Sequence, residues 1–511
     1  MLKRLTNPES AQAAVRQIAE LFHANAEWFY TSGDGKSQAL SRDELDVTVS
    51  QGRLILSSWT ERGTRFWKII AWEWAGDRLL LHASRRLGAE HPVIELVPRA
   101  SASAIAATVR AARQLRCDQL AQLAASLQAG AKIEQASLSP GIRRGQPGRY
   151  GRIVLRSKYQ RIALTASVAS SHASDVDAFL SSALLWFNRL SERVRAPYLQ
   201  QLWLVVENAL VKPLSHRIAL LRESLKEAIV VYEIDQMWAA LNEVLCPSRQ
   251  DLWKRRLARF PPVREPEISD SARKILSLAP EAIDVVHARH GQTLRYLGLP
   301  FARVRKVMET ERVWFGTESS RRSLLEQRTE NEYITLLRAL REHRSADASD
   351  HRHALYRTAA EAWLESILRR DISRLDPGLV IAPLHAQFRT ARGGRLGVRP
   401  IDLLALRRDG RLVVIELKVS EDREHVLQGA DYWQRVEAHR RRGHISRAKL
   451  FGGQRIRDES PLVYLVAPTL RVHPAFQTLA RSIAGDIEIY RFDINEDWRS
   501  GVRVMRRLRV N

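Results

Sequence analysis

Between residues 52 and 99 apolar and polar side chains alternate with the two-residue period of half-buried strands: RLILSSW, RFWKIIAWEW, a turn at Ala75-Gly76-Asp77, RLLLHAS and PVIELVPR. The pattern predicts a β-rich module over residues 1–100. Ala102 to Leu127 reads as a helix, followed by a Gly/Pro/Arg-rich loop. Strands RIVLR and RIALTASV come next, then a helix near DAFLSSALLWFNRLSERV, strand LWLVVE, another helix and strand AIVVYEI. This alternation of strands and helices predicts an α/β module over 101–260. Breaks at 261–266 and at Ser345-Ala346-Asp347-Ala348-Ser349-Asp350 bound a mixed connecting region, 261–345, with a helix within Leu324 to His343. A last α/β domain, 346–511, opens again with a helix.

The two α/β stretches share a pattern. The segment from Gln201 can be laid on the segment from Leu462, with Lys212-Pro213 on His473-Pro474 and Trp238 on Trp498. Upstream, RIALTASV matches RLVVIELKV, and the helix around Trp186 matches the helix around Trp433. An internal duplication is expected.

Composition bounds the classes of function. The 511 residues suggest three or four domains, and 45% hydrophobic with 27% charged residues is the balance of a soluble globular protein. Two cysteines, Cys117 and Cys246, are too few for a disulfide framework or a four-thiolate metal site. No apolar run reaches the roughly 18 residues of a membrane helix, and the amphipathic start is unlike a signal peptide, so a cytoplasmic location is expected. The net charge of +24 points to polyanionic partners, nucleic acid first, because each cation set against a phosphate releases condensed counterions. Only a dozen of the 81 Lys+Arg are lysines, so a lysine inside a motif carries extra weight.

The informative segment begins at Val398: VRPIDLLALRRDGRLVVIELKVSEDREHVLQGADYWQRVEAHRR. Ile401 to Leu406 and Leu412 to Val419 are apolar strands joined by Arg408-Asp409-Gly410, a three-residue hairpin loop with glycine in the left-handed position. If Arg407 pairs with Arg411, counting outward sets Asp402 opposite Glu416, with Lys418 on the same face. Two carboxylates and an ammonium on strands this apolar need pairing or a cation between them. Oxygen donors select a hard ion, and Mg²⁺, or Mn²⁺ in its place, suits one or two carboxylates. The chemistry expected of such a set is phosphodiester hydrolysis, in which the metal would polarise the phosphate and acidify a water that Lys418 would position.

These residues resemble a known pattern. Pro400-Ile401-Asp402 with Glu416-Leu417-Lys418 resembles the PD-(D/E)xK nuclease superfamily, and Gln428-Gly429-Ala430-Asp431-Tyr432 resembles the QxxxY motif of its RecB-like branch. The resemblance covers the chain from about His351 onward. It implies a restriction-endonuclease-like αβββαβ core and a Mg²⁺-dependent deoxyribonuclease. Asp402 and Glu416 would be metal ligands with the Leu417 backbone carbonyl, Lys418 the catalytic lysine, and Gln428 and Tyr432 would lie on one helix face near the lysine and the DNA. The family also carries a glutamate on the helix before the first strand. AEAWLESILRRD offers Glu361 and Glu365, and the apolar stripe through Ala360, Trp363, Leu364, Ile367 and Leu368 lies closer to Glu361. A bare E-x-K arises about once by chance in a chain this long and basic, so the weight rests on the strands and helices around it.

The first α/β stretch would be a degenerate, nuclease-like counterpart. Arg152 falls where Asp402 would be, and Ala166 and Val168 replace Glu416 and Lys418. Its expected work is engaging DNA or pairing domains. DNA is the expected partner, with RNA not separated from it by the site; a homo-oligomer or a helicase or repair partner would supply any unwinding. The competing class is a nucleic-acid-binding protein that retains the fold without catalysis.

Three other features weigh less. Gly33-Asp34-Gly35-Lys36-Ser37 lacks the first glycine of a phosphate-binding loop and is expected to be an ordinary loop. Trp59, Trp67, Trp72 and Trp74 alternate as core residues do, although aromatics among basic residues can also stack bases. The run from Arg499 through RVMRRLRV reads as a basic strand, either a solvated edge or a track for a phosphate backbone.

Overall fold

Alternation in the first hundred residues becomes one antiparallel sheet in the computed structural model, and each later sheet collects strands from its own stretch of chain. The structure describes all residues except 1, 32–36, 61–62, 85–89, 102, 142–147, 170–171, 194–197, 255–256, 258, 261–266, 289–290, 308–309, 318–321 and 391–399. The Gly33-Asp34-Gly35-Lys36 motif and the 261–266 break lie outside the described residues. The fold is mixed α/β and multidomain, and it divides into two compact units. No helix among the described residues is long and apolar enough to cross a membrane.

The first unit comprises Met1–Asp175, Trp186–Pro213 and Glu227–Leu245. Its eight-stranded sheet contains Arg53–Thr60, Gly63–Ala75, Arg78–Ser84 and Val93–Pro98, the four strands the alternation predicts. Helix Pro8–Ala24 covers one face with Ala11, Ala14, Ile18 and Phe22. Trp67 and Trp72 are buried in this core and Trp74 packs against it, all on one face because the register shifts between Ile69 and Ala71, whereas Trp59 is exposed.

A six-stranded sheet follows in the same unit: Lys132–Leu138, Tyr150–Arg156, Arg161–Ser167, Leu199–Val206, Ile229–Ile234 and Leu241–Val244, neighbours in chain order. The pairings run antiparallel, antiparallel, parallel, parallel, antiparallel. The two edge strands carry no clear apolar alternation, which is why the sequence pattern does not reveal them.

The second unit comprises Val176–Leu185, Leu214–Lys226 and Cys246–Asn511. A five-stranded antiparallel sheet between Ile283 and Leu324 makes up most of the region expected to be a mixed connection, with helices Asp270–Ser277 and Glu330–His343 against it. The last sheet contains His385–Phe388, Ile401–Leu406, Leu412–Leu417, Leu462–Pro468, Ile489–Ile494 and Val504–Arg509 in that order. Its pairings repeat the sequence of orientations found in the first unit. A helix precedes each sheet, Ala104–Leu127 in one case and Ala360–Arg370 in the other. Another lies between the third and fourth strands, Val176–Arg193 and His425–Arg441 respectively. Parallel neighbours need such a crossover, so strand order and helix placement are linked.

One detail of the matched sequences changes. Arg156 pairs with Arg161 across residues 157–160, so Gly151, not Arg152, stands opposite Ala166. Arg152 instead faces Thr165, with its guanidinium 5.7 Å from the Trp186 ring. The hairpin loop is one residue longer than its counterpart at 408–410, and a one-residue slip moves a side chain to the other face.

Candidate functional site

The Ile401–Leu406 and Leu412–Leu417 strands pair through Leu406↔Leu412, Ala405↔Val413, Leu404↔Val414 and Leu403↔Ile415. Arg407 donates its amide to the Arg411 carbonyl at 2.8 Å, and Gly410 takes φ +86°. A side chain there would be strained, and its Cβ would lie 2.7 Å from the Arg455 carbonyl oxygen. The glycine turn therefore holds the register, and one further step outward sets Asp402 opposite Glu416. Asp402 Oδ2 accepts from the Leu417 amide at 2.9 Å, so a side chain replaces the next rung of the ladder.

Lys418 donates from Nζ to Glu416 Oε1 at 2.8 Å, and Asp422 Oδ2 lies 3.7 Å from the same nitrogen. Glu416 is 2% exposed and its second oxygen, Oε2, is buried without a hydrogen-bond partner. Burial first, then the Asp402 charge, pushes the Glu416 carboxyl well above the usual carboxylate range. Burial also raises Asp402, against the Leu417 amide and Lys418, which favour its charged form. Burial would lower Lys418, but Glu416 and then Glu361 outweigh it and hold the ammonium above its ordinary value. The site is an apolar strand pair carrying one cation too few for its acids.

Helix Ala360–Arg370 brings both candidate glutamates to this side. Glu365 is 3% exposed and accepts from Gln387 Nε2 at 2.7 Å; the same amide lies 3.4 Å from Asp402 Oδ1. Glu361, which the apolar stripe favoured, is the exposed one, set in the field of Lys418. Gln387 is a site residue that sequence reasoning missed, since it lies on a short edge strand with φ +49° and no motif around it.

Helix His425–Arg441 lies close to the sheet because Gly429 permits it: a Cβ there would come within 2.6 Å of Leu465 Cδ2. Gln428 and Tyr432 are both buried beneath the acids. Gln428 Nε2 reaches Glu424 Oε2 at 3.4 Å, while its Oε1 is buried without a partner. Burial, then the Glu416 charge, raises the Tyr432 phenol above its ordinary range. Asp431, beside Tyr432, is held by Arg217 and Arg435, and Arg217 also donates from Nε to Asp177 Oδ1 at 2.7 Å. His425, also missed, stands one turn before Gln428, a spacing that could have drawn attention to it. Burial, then Lys418, pushes its imidazole down to about 4, so the neutral ring donates from Nε2 to the Glu416 carbonyl oxygen at 3.2 Å.

Among the described residues no three His, Cys, Asp or Glu side chains gather closely enough to enclose a metal ion. Two carboxylates is the number a Mg²⁺ site uses while it keeps several waters. The all-oxygen donor set, the orphaned Glu416 Oε2 and the half-buried Asp402 fit a hard divalent cation. Compared with protein-family models, curated proteins and solved structures, the chain matches none.

Proposed function

We propose that the protein is a Mg²⁺-dependent nuclease that hydrolyses DNA phosphodiester bonds in its C-terminal domain, with the modules before it engaging nucleic acid. The observation that carries this reading is the Asp402–Glu416 pair, half-buried and buried respectively, with an orphaned Glu416 oxygen and Lys418 bonded beside it. In this reading the sheet of residues 385–509 and its helices form a restriction-endonuclease-like core of the PD-(D/E)xK kind. The sheet of residues 132–244 is its degenerate counterpart, able to hold shape but lacking the acids for a metal. The net charge of +24 and the exposed Arg506, Arg507 and Arg509 on an edge strand support a polyanionic substrate.

Asp402, Glu416 and the Leu417 carbonyl would hold the ion. When bound, it polarises the scissile phosphate and lowers the pKa of a water. Lys418, released from part of its pairing with Glu416, orients the attacking water and balances charge on the phosphate. Gln387 keeps Glu365 and Asp402 apart by bridging them, and His425 and Gln428 set the backbone and the floor beneath Glu416.

The test incubates linear, circular and single-stranded DNA, and RNA, with Mg²⁺ or with chelator. Wild type should cleave DNA only with the metal, and Asp402→Ala and Lys418→Ala should lose about 10²–10⁴-fold. Equal cleavage by all three proteins removes the assignment. Salt-sensitive binding with no metal-dependent turnover identifies instead a nucleic-acid-binding protein that retains the arrangement, and preferential RNA cleavage reassigns the substrate.

A further inference from the structure

A cavity of about 400 Å³ opens on the face of the glutamate helix opposite the acids. Along Ala360–Arg370, Glu361 and Glu365 project to one side while Trp363, Ile367 and Arg370 project to the other, toward this cavity. Arg341, Arg344, Arg370, Arg374 and Arg499 all line it, against the acids Glu281 and Asp371. Arg370 lies 3.5 Å from Asp284 and Arg374 3.2 Å from Asp371. The other three have no carboxylate partner among the described residues.

Each of these three is held in place. Arg341 donates from Nη2 to the Leu278 carbonyl at 2.8 Å. Arg344 is fully buried, and its guanidinium donates to five backbone carbonyls, those of Tyr296, Leu297, Leu355, Thr358 and Ala359. Carbonyl dipoles orient that guanidinium but do not cancel its charge. Arg499 lies over the rings of Trp498, Tyr356 and Trp363 at 4.3, 4.4 and 5.0 Å, and its Nε is buried without a hydrogen-bond partner. Trp363 also faces Arg344 at 4.8 Å. Burial, then the charge of Arg499, pulls Arg344 down to about 9, the sign of like charges crowded in a poorly solvated place.

Ordered, mutually repelling guanidiniums around a cavity are the arrangement that phosphate recognition uses, since the planar fork meets phosphate oxygens with paired donors. The volume lies within the range of small-molecule pockets, about 300–1,000 Å³, and is too small for a duplex. We propose that this cavity binds the phosphate groups of a nucleotide-sized polyanion, separately from the acids across the helix. The phosphates come either from a free nucleotide or from the phosphorylated end of a strand. Arg341 and Arg499 would meet the phosphate oxygens, while Arg344, whose five N–H groups are all given to backbone carbonyls, adds only its charge beneath them; seating the phosphates there braces the helix that carries Glu361 and Glu365. The proposal does not depend on the nuclease reading.

The test uses the full chain in chelator, so that a divalent-metal site takes no part, and titrates inorganic pyrophosphate and ATP by calorimetry and thermal shift. Saturable binding is expected, weakened at least about tenfold by Arg341→Glu and by Arg499→Gln. Arg341 is exposed, so its variant should fold as wild type does. The charge-matched surface variant Arg328→Glu, at an exposed arginine outside the cavity, should bind normally. Competition by a short oligonucleotide only when 5′-phosphorylated assigns the source to a strand end; no competition by either form assigns it to a free nucleotide. Absence of saturable binding, wild-type affinity in both arginine variants, or equal competition by the unphosphorylated oligonucleotide overturns the proposal.

Discussion

The two six-stranded sheets share strand order and orientation but fill the same position with opposite chemistry. In the sheet of 385–509, Asp402 faces Glu416 with Lys418 beside them. In the sheet of 132–244, Gly151 faces Ala166. A Cβ on Gly151 would lie 3.0 Å from Cys117 Sγ and 3.3 Å from Val168 Cγ1, so apolar atoms close the space. The framework is indifferent to what occupies that place. What differs is the electrostatic state: one sheet keeps buried charges that only mutual pairing or a cation makes tolerable, and the other is packed like any core.

The sharpest way to break this comparison is to put a charge into the packed sheet of 132–244. Ala166→Glu would bury a carboxylate with no cation beside it and should destabilise the first unit by about 3–5 kcal/mol, read by urea unfolding, without creating cleavage. Wild-type stability in that variant would mean the position is less closed than it looks.

A smaller effect concerns the crossover helices. His439, on His425–Arg441, donates from Nε2 to the Thr390 carbonyl at 3.0 Å and accepts from His444 between their Nδ1 atoms, also at 3.0 Å. Burial pushes its imidazole from 6.5 down to about 4. Between those values the unfolded chain takes up a proton that the folded one refuses, so this contribution is whole above about pH 6.5. It is lost as pH falls toward 4, by up to about 3 kcal/mol. Helix Val176–Arg193 has no histidine, so the effect has no counterpart in that crossover helix. His439→Gln should flatten the acid limb of the stability profile in urea titrations, and an unchanged limb would place the acid sensitivity elsewhere.

The smallest expected difference compares two glycines. Gly429→Ala pushes a methyl against Leu465 and Val463 and should cost about 1–3 kcal/mol of overpacking, partly offset by the roughly 1 kcal/mol alanine gains in a helix. Gly151→Ala meets looser contacts and should cost less, below about 1 kcal/mol, with both variants read by urea unfolding. Reversal of that order would show that the helix near the acids yields more readily than the packed sheet of 132–244.

Much of this was legible in the chain itself. Period-two alternation marks Arg53–Thr60 through Val93–Pro98, and the Asp409-Gly410 turn sets the register that brings Asp402 to Glu416, because both depend on neighbours a few residues away. The five-stranded sheet between Ile283 and Leu324 was not legible: its strands mix arginines with apolar residues, and burial there is decided by the helices that cover one face. Gln387, His425 and the choice between a buried Glu365 and an exposed Glu361 also needed three dimensions. So did the slip of one residue that puts Gly151 rather than Arg152 opposite Ala166.

The sequence by itself determined which residues could carry charge into an apolar hairpin, because a tight turn with glycine in the left-handed region leaves a single register. The tertiary structure alone decided which of those charges are buried, which partners reach them from distant helices, and where five arginines share a cavity. Desolvation and pairing depend on atoms brought together across hundreds of residues, and no local pattern records that distance.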